Sequence, residues 1–465
     1  MVLSEESPGV TAGKGLPRER IRELYREHIN PGMVSLMSLL EFDVPFTRAE
    51  GMRVWDREGN EYLDFLAGYG SLGLGHNPPE IWAALDETRG MPVLVQASLS
   101  PLAATLGADL ARMLPGGLSR SFFCGSGAEA VEAALKLARG AAKKPGIVYC
   151  DNSFHGKSFG ALSVTGRRKY QEPFAPLLPG CRAVPYADLE ALEAELARGD
   201  VAAFIVEPIQ GEGGIVVPPP GYLRGVASLC RRHGVLFIAD EIQTGLGRTG
   251  RLLACQAEDV APDILCLAKF LGGGVMPLGA CVTTPAVWDR AYGGIDRCLL
   301  HTSTFGGNAL SAAAGIATLR AIRERDLPSG AAERGEYFLV RLRELAERHP
   351  LLKEVRGRGL LVGLEFQKPA GILDKLTGGA VSKVAQEYAA AMVAGELLHR
   401  HRIITAYTLN NPNVIRLEPP LIVERDHLDR VVEALDEVLG RVRSFWGLAR
   451  ASARTALGGF FRGDK

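Results

Sequence analysis

The chain has 465 residues, 47% of them hydrophobic and 23% charged, the make-up of an ordinary globular protein with a large buried core. Lysine plus arginine equals aspartate plus glutamate at 53 each, so no net field draws the chain toward nucleic acid or an anionic membrane. No stretch reaches the roughly 18 uninterrupted apolar residues of a membrane span, and small-molecule chemistry is the expectation that remains.

The opening MVLSEESPGV is polar and acidic where a secretory signal would place positive charge and then an apolar run. The eight cysteines contain no CxxC pair, which speaks against a disulfide framework or a structural zinc site. Both features point to a reducing cytoplasm, and no metal is expected. Residues 17–30 (PRERIRELYREHIN) predict a helix stopped by Pro31-Gly32, and MRVWDREGNEYLDF has the alternation and central turn of a hairpin. From about residue 70 to 325, short apolar runs alternate with helical patterns, the rhythm of an α/β domain with a mostly parallel sheet.

After Pro328, AAERGEYFLVRLRELAERHP predicts a long amphipathic helix, followed by the strand GLLVGLEF and then helix, strand and helix to about residue 446. The expected division is residues 1–66 as the N-terminal segment of a small α+β domain, 67–327 as the large domain, 328–446 as the C-terminal part of the small domain, and 447–465 as a basic tail. The tail carries Phe and Trp at irregular spacing, so it reads as a frayed or docked terminus rather than a membrane-surface helix.

Five apolar runs end abruptly in polar or glycine-rich sequence: SFFC at Gly125, GIVYC at Asp151, AAFIV at Glu207, VLFIA at Asp240 and ILCLA at Lys269. In an open parallel sheet, ligands lie beyond the carboxyl ends of the strands, so all five endings are expected to face one crevice. In GSGAEAVEAALKLAR the glycines turn the chain into a helix, and the N–H groups of Ser126, Gly127 and Ala128 would point at an anion. Asp240 and Glu207 each close a hydrophobic strand, where a carboxylate is partly desolvated and calls for a cationic partner.

A lysine, an acid and a phosphate-type turn at neighbouring strand ends suit pyridoxal 5'-phosphate (PLP). That cofactor needs an amine to condense with, an anion site, and a carboxylate that keeps its ring nitrogen protonated. The amine falls to Lys269 and the carboxylate to Asp240. GLGRTG at 245–250 lacks the GK[ST] ending of a nucleotide loop and reads as a plain connection. His155 and His76 read as packing or hydrogen-bonding groups.

The blocks GSGAEA, NSFHG, VEPIQGEGG, ADEIQTGLGRTG, LAKFLGGGVMPLGA, HTSTFGGN and VIRLEPPL occur in order, and the span from about residue 45 to 440 resembles the class III aminotransferases. The resemblance implies a fold type I PLP-dependent transferase that acts as a homodimer with shared active sites. It assigns Lys269 to the cofactor bond and the proton shuttle, Asp240 to the pyridine nitrogen, and Gln243 to the ring hydroxyl. Phe154 and Ile242 would flank the ring and Ser126, Gly127 and Ala128 take the phosphate, with Thr304 donating to it from the partner chain. Glu207 completes the cofactor set. Arg416 would grip the α-carboxylate of an oxo acid, and Glu212 would neutralise that arginine when the donor is a terminal amine. Tyr69 would line the substrate pocket as in ornithine aminotransferases, although Thr302 and Lys157 depart from that subgroup's pattern.

The activity this implies is ping-pong transamination from an ω-amine such as ornithine, putrescine or a related amine to an oxo acid, 2-oxoglutarate. Two other readings stay open at this point. One is an aminomutase or decarboxylating relative on the same fold, because the cofactor residues alone do not dictate which bond breaks. The other is a non-catalytic binding protein that has kept the fold.

Overall fold

The computed structural model describes residues 10–95, 97–367 and 380–441, so the basic tail expected at 447–465 lies outside the described residues. Near the N-terminus the helix Arg18–His28 forms and stops before Pro31 as predicted, but Pro31 does more than end it. It opens a second helix, Pro31–Leu39, at a position where its missing N–H costs nothing, and the Asn30 side chain caps the start by accepting from the Met33 N–H at 3.0 Å.

Strands β1 (Phe46–Glu50), β2 (Arg53–Asp56) and β3 (Glu61–Asp64) form an antiparallel meander whose second turn is the expected hairpin. Asp56 holds that turn by accepting from the Asn60 N–H at 2.8 Å and the Tyr62 hydroxyl at 3.0 Å.

The central sheet is built from β4 (Arg120–Cys124), β5 (Gly146–Cys150), β6 (Cys181–Val184), β7 (Val201–Val206), β8 (Leu236–Asp240), β9 (Ile264–Leu267) and β10 (Gly279–Thr283), in the order β4-β10-β9-β8-β7-β5-β6. Only β10 runs antiparallel to its neighbours, and the remaining adjacent pairs are parallel. The continuous apolar runs are explained by burial on both faces. Along β7 to β9, Phe204, Phe237 and Leu265 enter one core cluster while Ile205, Ile238, Ile264 and Cys266 enter the other, with the two-residue alternation of a strand. The helix Gly127–Ala142 packs its apolar face against β7, β9 and β10.

The long helix predicted after Pro328 spans Leu327–Arg348, with the proline in its first turn. Strands β11 (Leu352–Arg358), β12 (Leu361–Phe366), β13 (Ile403–Ile404), β14 (Ala406–Tyr407) and β15 (Val414–Leu417) follow. β11, β12, β15 and β14 make an antiparallel sheet in that order, while β13 pairs in parallel with β3, so early and late parts of the chain share a sheet. Among the described residues no helix is long and apolar enough to cross a membrane, and no His/Cys/Asp/Glu group is placed to hold a metal ion.

Candidate active site

The five strand endings converge on one cavity of about 550 Å³. From β4 it receives Ser126, Gly127 and Ala128; from the loop after β5, Phe154 and His155. Glu207 follows β7, Asp240, Ile242 and Gln243 come from the end of β8, and Lys269 follows β9. Ser126 caps the helix Gly127–Ala142, its hydroxyl accepting from the Glu129 N–H at 3.2 Å. Gly127 keeps this turn close to Ile242: a Cβ there would come within 2.9 Å of the Ile242 terminal methyl, which would have to shift.

Asp240 is 4% exposed, and its carboxylate is fixed from two sides. One oxygen accepts from the Ile242 N–H at 3.1 Å, and the other lies 2.7 Å from His155 Nδ1. His155, read from sequence as a packing or hydrogen-bonding group, is therefore the orienting partner of the acid. Its buried Nε2 finds no hydrogen-bond partner among the described residues. Glu207 accepts from the Phe154 N–H and the Gly211 N–H, both at 2.9 Å, and so ties two cavity loops together. Burial pushes its carboxyl up to about 7, helped by the nearby Asp240 charge and opposed by His155.

Lys269 opens a short 3₁₀ turn with φ +48°, a left-handed backbone that costs an L side chain about 1 kcal/mol. Burial depresses its ammonium below the usual lysine range, while the carboxylates of Glu418 and Glu212 oppose that shift. The result favours the neutral amine that nucleophilic chemistry needs.

A second cluster adjoins this crevice without lining the cavity. Arg416 on β15 is fully buried and pairs through Nη2 with Glu212, whose carboxylate also accepts from the Leu409 N–H at 2.8 Å. Burial alone would raise the Glu212 carboxyl, but Arg416 outweighs it and holds the group below the ordinary carboxylate range. The guanidinium carbon lies 5.0 Å from the centre of the Tyr69 ring. Tyr69, Glu212 and Arg416 are thus brought together as the resemblance implied. Thr304 is exposed and does not line the cavity. His76 bonds to Asp64 at 2.9 Å, away from the cavity.

One residue the sequence reading missed is Glu418. Gln243, expected to reach a ring hydroxyl, donates through Nε2 to both Glu418 oxygens, at 3.2 and 3.0 Å. The signal was present in VIRLEPPL, because positions two apart on a strand share a face and Glu418 stands two beyond Arg416.

The donor set fits PLP. A buried amine, an acid locked by a histidine, and a helix N-terminus with a glycine at its first turn surround a single cavity. The comparisons agree. The family model for class III aminotransferases matches residues 38–439. The aminotransferase PigE of Serratia sp. (strain ATCC 39006) is 41% identical over 92% of this chain; the match covers 54% of PigE, so the chain spans about half the length of that relative. The crystal structure of the ornithine aminotransferase from Toxoplasma gondii, described with partial occupancy of PLP at its active site, is 33% identical. It superposes with a TM-score of 0.82 over 94% of this chain and 99% of that one. An amine transaminase from an uncultivated Pseudomonas species, solved with PLP bound, is 30% identical with a TM-score of 0.76 over 86% of this chain and 95% of its own. This chain belongs to the class III aminotransferases, a family of PLP-dependent enzymes.

Proposed function

We propose that the protein is a PLP-dependent aminotransferase that takes the amino group of an ω-amine, such as ornithine, putrescine or a related amine, and delivers it to an oxo acid, 2-oxoglutarate. The observation that supports this most is the buried Arg416–Glu212 pair beside Lys269: a carboxylate receptor that carries its own removable counter-ion. With Glu212 in place the guanidinium is silent toward a terminal amine, and with Glu212 displaced it accepts the carboxylate of the oxo acid in bidentate fashion.

When bound, PLP supplies an electron sink for the carbon that loses its proton. Lys269 provides the amine that holds the cofactor and then moves the proton at its Nζ. Asp240, oriented by His155, presents a fixed carboxylate to the ring nitrogen. Phe154 and Ile242 would flank the ring and Gln243 would face its hydroxyl, while Glu207 holds the loop that carries Phe154. Ser126, Gly127 and Ala128 would receive the phosphate at the helix N-terminus.

The working form in this reading is a cytoplasmic homodimer in which Thr304 of one copy reaches the phosphate of the other. Exposed apolar side chains around Thr304, among them Leu299, Leu300 and Phe305, support a covered surface there. The test is a panel of amine donors given to purified holoenzyme with 2-oxoglutarate, with glutamate as the readout. Glutamate formation from at least one ω-amine is expected, and its absence across the panel overturns the reading.

A further inference from the structure

We infer that Glu418 is a second, fixed counter-ion of Arg416 that sets the specificity of the site, biasing it toward amines whose reacting carbon carries no carboxylate. The inference rests on the aminotransferase reading and concerns the same pocket.

Arg416 and Glu418 are both fully buried, and Glu418 Oε2 lies 3.9 Å from Arg416 Nη1. That separation is too long for a hydrogen bond, and Nη1 and Nε of Arg416 have no hydrogen-bond partner among the described residues. Glu418 therefore acts on the guanidinium as a charge, through a poorly screening interior. Its carboxylate is tied in place by Gln243, and its backbone N–H donates to Phe65 O at 2.8 Å. Gly70, at φ +82°, leaves the room it occupies: a Cβ at that position would run into the carboxylate.

Glu212 and Glu418 differ in how they are held. Glu212 is attached through Arg416 and the Leu409 N–H, so an incoming carboxylate can exchange with it on the guanidinium. Glu418, held by Gln243, makes no hydrogen bond to Arg416, so an incoming carboxylate does not compete with it for the guanidinium N–H groups. A substrate carboxylate arriving at Arg416 then meets a guanidinium already partly neutralised and a like charge that does not move away. An amine with no carboxylate on its reacting carbon meets no such opposition. Arg248 also lies in the field of Glu418, but its Nη1 donates to the carbonyls of Leu360 and Pro419. Its charge is the same in the variants and cancels from their comparison.

Glutarate, an unreactive dicarboxylate, is titrated into wild-type holoenzyme and the Glu418→Gln and Glu418→Asp variants, with cofactor absorbance as the readout. The two half-reactions are measured separately with 1,4-diaminobutane and with 2-oxoglutarate. Glu418→Gln is expected to tighten glutarate and lower the half-saturating 2-oxoglutarate concentration by about fivefold or more, with no matching gain for 1,4-diaminobutane. Glu418→Asp keeps the charge, withdraws it by one methylene, and is expected to tighten glutarate by about twofold. Unchanged or weaker glutarate binding in both variants overturns the inference, since loss of packing alone would weaken cofactor and both substrates together. Glutarate binding is read without turnover, so this outcome is separable from a wild-type enzyme that transfers no amino group.

Discussion

The crevice at the strand ends and the charged pocket beside it solve different physical problems. In the crevice the two carboxylates have short-range partners from the same sheet or the loops next to it: Asp240 has His155, and Glu207 has the N–H groups of Phe154 and Gly211. In the pocket, Tyr69, Glu212 and the neighbouring Arg416 and Glu418 come from three widely separated parts of the chain, and a buried cation is balanced by two carboxylates. The first arrangement is rigid and serves a cofactor that stays. The second holds one counter-ion hydrogen-bonded to the guanidinium and one that acts on it only as a charge, which suits two substrates of different charge taking turns. Crevice variants should therefore damage both half-reactions alike, and pocket variants should split them.

The largest effect is expected from Lys269→Ala. Turnover should fall by more than about 10³-fold in both half-reactions, with loss of the lysine-linked cofactor absorbance, and rapid-mixing kinetics would check it. Retained full turnover removes Lys269 from its role. Asp240→Asn should come next, lowering both half-reactions by about 10²-fold and weakening cofactor retention, because the ring nitrogen loses the charge that keeps it protonated. If only one half-reaction suffers, the division between the regions fails.

Glu207 offers a test through pH. Its folded-state pKa is raised to about 7 from 4.5, so its contribution to stability is fully present below pH 4.5 and is lost as pH rises through 7. Between pH 5 and 8 the apoprotein should lose about 2 kcal/mol from this group, measurable by urea unfolding, and Glu207→Gln should flatten that slope. Arg416→Lys sharpens the contrast from the pocket side. The half-saturating 2-oxoglutarate concentration should rise about tenfold while the amine half-reaction changes little, because an ammonium lacks the bidentate fork.

The smallest effect should come from outside both regions. Burial would raise the Asp43 carboxyl, but hydrogen bonds from Arg22 and Arg18 outweigh it and lower the group to about 2. That contribution is present above pH 3.8 and is lost as pH falls toward 2; at neutral pH Asp43→Asn should cost under about 1 kcal/mol, without change in either half-reaction.

The residues that line the crevice were legible because chain-local rules expose them. A strand buried on both faces must read as an apolar run, and the first polar residue after it must sit at the sheet's edge, which marked Glu207, Asp240 and Lys269 one by one. Pro31 marked the end of the first helix correctly, but the second helix that it opens went unseen, because proline blocks a helix interior yet favours a first turn, here capped by Asn30. His155 could be seen but not assigned, because its partner lies on a different strand.

By itself, then, the sequence determined a mostly parallel sheet whose strand endings meet, and a lysine, an acid and a glycine turn among them, since burial and backbone geometry act over a few neighbouring residues. The tertiary structure alone decided that Gln243 turns to Glu418 and that Arg416 is shared with Glu212. Compensation of a buried charge depends on distance in space, and residue spacing does not encode that distance once the chain has crossed between sheets.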